Sequence, residues 1–151
     1  MTKRTTGMLA ELDSWAQFIF RGFLERLDDV LGENQYIVFE GRRTIETQEA
    51  YYAQGRKSLD EVNAQRKRAG LYPLRSDADN YCITWTLRSK HLEGLAMDVL
   101  PADGAGRPTW DITHYRRVFE AIRDCGREAR LECGADWPPP QTDWPHYQTK
   151  G

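Results

Sequence analysis

The first thirty residues carry apolar side chains at the spacing of a helix. The stripe consists of Leu12, Trp15, Ile19, Phe23, Leu27 and Val30. Residues three or four apart share one face of an α-helix. The pattern therefore predicts a core-facing helix over about residues 8–31 that ends near Gly32.

Beyond this helix, short apolar runs alternate with segments of helical composition. The pattern predicts strands over 36–39, 81–86 and 95–100, helices over 44–54, 58–69 and 111–130, a loop over 70–80, and a final strand that carries His146. Ser58 and Glu61 have the spacing of a capping box, and Asp111 is expected to cap the helix that it opens. This order favours one α+β domain over 1–151, with a small, largely antiparallel sheet flanked by helices and a core over about 35–149.

Composition narrows the classes of partner. The chain has 151 residues, with 21 basic and 23 acidic side chains and a formal net charge of −2. We expect a monomer that binds neither nucleic acid nor an anionic membrane surface. Glu11, Asp13 and Arg21 interrupt the apolar region that a signal peptide needs, and no stretch is long enough to cross a bilayer. We therefore expect synthesis in the cytoplasm without a signal peptide.

Asp98 is the first candidate for chemistry because it interrupts the apolar strand predicted over 95–100. A carboxylate in such a strand loses water, which costs several kcal/mol unless a cation offsets the loss. That cation is either a basic side chain or a metal ion. Gly94 allows a bend that brings His91 to the same point as Asp98. Ser89 lies two residues before His91. Its hydroxyl belongs either to this site or simply to a loop.

A second group of donors lies near the C-terminus. Pro145 excludes a helix interior, so Asp143 and His146 can converge through a turn. His91, Asp98 and His146 are then three separated ligands for a catalytic metal with a fourth position open to water. Zinc is the expected ion, although imidazole and carboxylate donors accept several divalent ions. We predict that Asp143 is the general base, the alternative being a surface carboxylate in a loop.

Asp111 and His114 repeat the same Asp-x-x-His spacing. Apolar residues at helical spacing follow them, so Asp111 is interpreted as a helix cap and His114 as a solvated side chain without a catalytic role. Arg43 lies between the strand predicted over 36–39 and the helix predicted over 44–54. On spacing alone, a surface ion-pair arginine is favoured over a place in a site, because exposed arginines are common.

These residues also carry a resemblance to a family. The pattern S-x-H-x-x-G-x-A-x-D is matched by Ser89, His91, Gly94, Ala96 and Asp98, and the later D-x-P-H is matched by Asp143, Pro145 and His146. Together they resemble the zinc peptidases that include L-alanyl-D-glutamate endopeptidases and D-alanyl-D-alanine carboxypeptidases. The resemblance extends from about Gln35 to Gln148. The stretch before the last ligand departs from the family pattern, which commonly has Trp and Gly at the positions of Cys133 and Ala135.

The resemblance implies a hedgehog/DD-peptidase-like fold, bound Zn²⁺ and a peptidoglycan stem peptide as substrate. It implies that Arg43 contacts the substrate or the developing oxyanion, and we expect Ser89, Trp137 and Trp144 to line the substrate site. The expected function is that of a phage-type endolysin that cuts between L-Ala and D-Glu and acts on the cell wall after release by another protein. The alternatives are a D-alanyl-D-alanine carboxypeptidase and a non-catalytic zinc-containing cell-wall-binding or phage structural module.

Overall fold

The computed structural model describes residues 1–151. Its elements are α1 (Lys3–Ala10), α2 (Ser14–Val30), β1 (Tyr36–Glu40), α3 (Ile45–Ala53), α4 (Leu59–Arg68), β2 (Ala96–Pro101), α5 (Arg116–Glu128), β3 (Glu132–Cys133) and β4 (His146–Gln148). Short 3-10 helices span Asp77–Asp79, Lys90–Glu93 and Gly134–Asp136. The chain forms two compact units, residues 43–92 and the remainder. None of its helices has the length and hydropathy of a membrane span.

The first unit, residues 1–42 with 93–151, contains the whole sheet. Its strand order is β1-β2-β4-β3, and each neighbouring pair is antiparallel. β2 is therefore central, and Asp98 pairs with Glu40 on one side and with His146 on the other. The prediction of an α+β fold with a small antiparallel sheet is confirmed.

The core of this unit lies between the sheet and the helices α2 and α5. It includes Phe20, Phe23, Leu24 and Leu27 of α2, Met97 and Val99 of β2, Ile122 of α5 and Tyr147 of β4. The rings of Phe23 and Tyr147 lie 4.9 Å apart between centroids. Burial of these side chains is the main favourable contribution to folding.

The single helix predicted over 8–31 is wrong, because the chain breaks between α1 and α2. Asp13 caps α2, since its carboxylate accepts hydrogen bonds from the backbone N–H groups of Trp15 and Ala16 at 3.0 and 3.3 Å. The predicted stripe is also partly wrong, since Trp15 and Val30 are exposed. The predicted stripe starts at Leu12, which precedes α2. The buried face of α2 instead starts at Ala16 and Phe20 and continues at helical spacing.

The second unit, residues 43–92, is built on α3 and α4. Thr44 and Ser58 cap these helices by accepting backbone N–H groups of Thr47 and Glu61, which confirms both predicted helices. The strand predicted over 81–86 is wrong. Side chains, not a neighbouring strand, bind its carbonyl groups: Arg56 donates to Thr84 O at 3.1 Å, and Gln48 donates to Thr86 O at 2.7 Å.

The predicted helix over 111–130 is shorter than expected. Asp111 accepts the backbone N–H of His114 at 3.1 Å and its imidazole at 2.6 Å. These bonds close a separate turn, and α5 begins only at Arg116. Asp111 therefore caps this turn, and its predicted role as the helix cap is wrong. His114 is exposed, in agreement with its interpretation as a solvated side chain.

Candidate metal centre

Two of the predicted ligands face each other across neighbouring strands. Asp98 of β2 and His146 of β4 are paired residues of an antiparallel ladder, a position that brings side chains into direct contact. His146 Nδ1 lies 3.4 Å from Asp98 Oδ1. A tetrahedral zinc ion with ligand bonds of about 2.0–2.1 Å separates neighbouring ligand atoms by roughly 3.3 Å, so this pair has the right spacing.

The third ligand comes from the turn before β2. His91 lies in the 3-10 helix Lys90–Glu93 and is 1% exposed. Gly94 follows with φ +71°, and a side chain there would approach the backbone nitrogen of Asp13 to 2.8 Å. Only glycine accommodates both this φ and this approach, so Gly94 makes the bend predicted between His91 and β2.

The ligand set fits a divalent ion. One donor atom from each of His91, Asp98 and His146 lies within 4.8 Å of the other two, and both histidines are buried. Three nitrogen and oxygen donors that leave a position for water are typical of catalytic zinc sites. The structure thus brings together the three predicted ligands.

A hydrogen-bond chain behind His146 sets the protonation of its ring. Gln148 donates its amide N–H to the carboxylate of Glu132. Because a carboxylate only accepts, the Gln148 Oε1 atom must face His146, whose Nε2 lies 2.8 Å away. Nε2 therefore carries a proton, and Nδ1 faces Asp98 Oδ1 at 3.4 Å. The imidazole nitrogen and the carboxylate at this distance hold either a second ring proton or a metal ion between them.

The electrostatics of His146 agree with a cation site. Burial lowers the pKa of His146, but the hydrogen bond and negative charge of Asp98, together with Gln148 and Asp143, raise it above its usual value. The surroundings therefore favour a positive charge at this ring. The same field favours a divalent ion.

Asp143 lies on the exposed loop that precedes β4. Its backbone N–H donates to Gly134 O at 2.8 Å, and its carbonyl accepts the N–H of His146 at 3.2 Å. A Cβ atom at Gly134 would collide with the Asp143 carbonyl and reach 3.0 Å from the Cβ atom of His146. The backbone of residue 134 thus sets the position of the predicted base relative to a ligand.

The two tryptophans predicted at the substrate site occupy different places. Trp137 is half-buried, and its ring lies 5.0 Å from that of His146 between centroids. Trp144 packs on α5 instead, 6.0 Å from the ring of Phe119 and 5.0 Å below the guanidinium of Arg116. Trp137 is therefore beside the metal centre, whereas Trp144 supports the loop that carries Asp143.

Within the second unit, Arg43 is hydrogen-bonded to the segment that carries His91. Its backbone N–H donates to His91 O at 2.9 Å, and its guanidinium donates to Gln48 Oε1 at 2.6 Å. Ser89 accepts the backbone N–H of His91 at 3.2 Å. Arg43 and Ser89 both hold the segment of His91, and their predicted contacts with substrate stay predictions.

Comparison with known proteins identifies the fold. No protein-family model and no curated protein sequence matches the chain. The crystal structure of the Serratia marcescens L-Ala D-Glu endopeptidase ChiX is similar, with a TM-score of 0.56 and 25% sequence identity over 99% of this chain and 89% of that chain. A Zn(II)-bound VanY D,D-pentapeptidase variant from a VanB-type vancomycin resistance cassette has a TM-score of 0.45 and 19% identity over 93% of this chain and 73% of that one.

The similarity to the ChiX endopeptidase agrees with the predicted peptidase family. It confirms the expected fold and supports the prediction of a peptidase. Zinc as the cofactor agrees with the cluster of His91, Asp98 and His146.

Sequence analysis did not find Gln148 or Gln48. A signal for Gln148 was present, because residues two apart on a strand share a face and Gln148 follows His146 at that spacing. Gln48 gave no such signal, since its partners Arg43 and Thr86 lie on separate segments of the chain.

Proposed function

We propose that the protein is a zinc metallopeptidase that hydrolyses peptidoglycan stem peptides, as an L-alanyl-D-glutamate endopeptidase. The observation that carries this proposal is the convergence of His91, Asp98 and His146 within 4.8 Å in a fold shared with such an endopeptidase. The proposed physiological role is that of an endolysin, which acts on the bacterial cell wall after another protein releases it.

In the proposed mechanism, His91, Asp98 and His146 would hold a zinc ion, which would supply Lewis acidity to a peptide carbonyl and to a water molecule. The Asp143 carboxylate accepts a proton from water as the water oxygen attacks the carbonyl carbon. When the C–N bond breaks, the same carboxyl returns that proton to the leaving amine nitrogen. One water is consumed, and an acid and an amine are released.

The remaining residues prepare the site for this step. Gln148 keeps the His146 ring in one tautomer, and Gly134 sets the position of the Asp143 backbone. Arg43 carries a fixed positive charge, and Gln48 occupies one of its N–H donors. We propose that this guanidinium stabilises the oxyanion or pairs with a substrate carboxylate when the peptide binds.

The test of Asp143 is its replacement by Asn, which keeps the shape and removes the base. We expect one zinc per chain to be retained while the rate of peptide cleavage falls by about 10²–10⁴-fold, the usual contribution of general acid–base catalysis. Zinc content is measured by atomic absorption and cleavage by mass spectrometry of digested muropeptides. Unchanged turnover would reject Asp143 as the base.

The same digests test the bond that is cut. A new amino terminus at D-Glu supports the endopeptidase, whereas free D-alanine from pentapeptide stems identifies a carboxypeptidase. Absence of cleavage by the parent protein with one zinc per chain would favour a non-catalytic wall-binding or structural module.

A further inference from the structure

An exposed group of apolar side chains lies on the segment that leads to His91. Tyr81, Ile83, Trp85 and Leu87, here called the aromatic strip, alternate along the chain and are 62, 43, 58 and 49% exposed. The segment is neither helix nor strand. Four large apolar side chains exposed to water within residues 81–87 point to a binding surface.

The strip rests on a fixed base. Arg56 and Gln48 hold the carbonyl groups of Thr84 and Thr86, and Asn80 accepts the N–H of Gly55 at 2.7 Å. Gly55 has φ +81°, and a Cβ atom there would collide with the backbone of Tyr81 and Cys82. These contacts keep the segment in place against α3 and the turn that follows it.

The backbone of the strip adds polar groups to this apolar surface. No hydrogen bond within the chain uses the N–H or C=O groups of Ile83, Trp85 or Leu87. Each of these residues therefore offers one donor and one acceptor beside an exposed apolar side chain. A matching ligand combines apolar faces with amide groups.

One buried side chain connects the strip to the proposed active site. Gln48 is 1% exposed, donates to Thr86 O at 2.7 Å and accepts from the Arg43 guanidinium at 2.6 Å. Arg43 in turn donates its backbone N–H to His91 O. The end of the strip is thus one amide group away from Arg43, which contacts the segment of a metal ligand.

We propose that the aromatic strip binds the glycan strand of peptidoglycan, through its N-acetylated amino-sugar rings. This inference rests on the proposed endopeptidase function, because L-Ala is the stem residue attached to the sugar and its bond to D-Glu lies close to the glycan. The apolar faces of the sugar rings pack on Trp85 and Tyr81. The acetamido groups exchange hydrogen bonds with the open backbone groups of the strip.

The test compares Trp85→Ala with the parent protein on two substrates. One is intact sacculi, and the other is a soluble stem peptide without sugar. We expect cleavage of sacculi to fall about tenfold, as for loss of one partly buried aromatic contact, and cleavage of the soluble peptide to stay within about twofold. Trp15→Ala is the matched control, because Trp15 is 52% exposed on α2 and lies outside the strip; both of its rates should equal those of the parent.

Three outcomes would overturn the glycan assignment. If Trp85→Ala loses the same activity on both substrates and retains zinc, the strip binds the peptide. If Trp85→Ala cleaves both substrates at the rates of the parent, the strip has no role in binding. A dimer that Trp85→Ala dissociates in sedimentation equilibrium would show that a second copy of the chain covers it.

Failure of the proposed function gives a different result. A parent protein that cleaves neither substrate contradicts the peptidase, and the strip is then tested by co-sedimentation of zinc-loaded protein with sacculi. If less Trp85→Ala than Trp15→Ala sediments with sacculi, the aromatic strip binds the cell wall. Equal sedimentation of the two variants refutes this binding.

Discussion

At the scale of single residues, the metal centre depends on side chains that do not bind the ion but orient the ligands. Asp98 Oδ1 and His146 Nδ1 face each other at 3.4 Å, and Gln148 accepts at Nε2, which leaves Nδ1 as the nitrogen available to an ion. Glu132 orients Gln148 by accepting its amide N–H. Such outer partners commonly change metal affinity as strongly as they change activity.

Replacement of Gln148 by Leu should weaken zinc binding by about 10–100-fold, because the imidazole loses the acceptor that fixes its tautomer. Zinc affinity is measured by competition with a chromogenic chelator. Gln141→Leu is the control, because Gln141 is exposed and lies outside this chain of hydrogen bonds, so its zinc affinity should equal that of the parent. Equal affinity of the Gln148→Leu and Gln141→Leu variants would contradict this role of Gln148.

The sequence was sufficient to predict which residues meet at the centre but not what holds them. His91, Asp98 and His146 stand in short patterns whose chemistry is visible in the residue types themselves. Gln48 is a common polar residue, and its role depends on Arg43 and Thr86, which only the fold brings to it. Long-range partners of this kind leave no periodic signal in the chain.

At the scale of elements, α5 is attached to the segment that precedes the metal loop. Arg127 donates to both carboxylate oxygens of Asp136, with the Nε bond at 3.0 Å. This hydrogen bond holds the pKa of Asp136 below its usual range. The ion pair joins the last turn of α5 to the 3-10 helix Gly134–Asp136.

The pH dependence of this ion pair follows from the lowered pKa. Asp136 contributes stability above the pKa of the unfolded chain, about 3.9, and that contribution is lost as the pH falls through the lower folded value. Since both side chains are partly exposed, Asp136→Asn should cost at most about 1 kcal/mol at pH 7 and nothing at strongly acidic pH.

Urea unfolding of metal-free protein at several pH values measures this difference without a contribution from zinc. Asp29→Asn is the control, because Asp29 is exposed and has no ion-pair partner. A cost of Asp136→Asn that stayed constant down to acid pH would show that the ion pair does not stabilise the fold.

The two helices α3 and α4, which carry their caps beside them, were predicted well, whereas the segment over 81–86, which depends on tertiary partners, was not. The caps Thr44 and Ser58 lie within the segments that they start, so the sequence shows where α3 and α4 begin. The segment over 81–86 has the composition of a strand, but its carbonyl groups bind Arg56 and Gln48. Composition does not reveal such competition for backbone groups.

At the scale of the whole molecule, metal binding and folding are coupled. The three ligands are separated by 55 residues of sequence from His91 to His146, and an unfolded chain does not hold them together. An ion that binds only the folded state therefore stabilises it by mass action.

We expect free zinc at about 100 times its dissociation constant to add about 2.7 kcal/mol of stability. For a chain of this size, that is an increase in Tm of roughly 5–11 °C. Differential scanning calorimetry with and without zinc, after removal of metal by a chelator, measures the change. His91→Ala should show no zinc-dependent increase in Tm, and a full increase in that variant would mean that the stabilising ion binds elsewhere.

Gly134 has a consequence for how such sequences diverge. The obstacle to a side chain at this position is the main chain of residue 143, which no change of rotamer can move aside. A mutation there has to be accompanied by a rebuilt connection between β3 and β4. Position 134 and the length of that connection should therefore change together in evolution, or not at all.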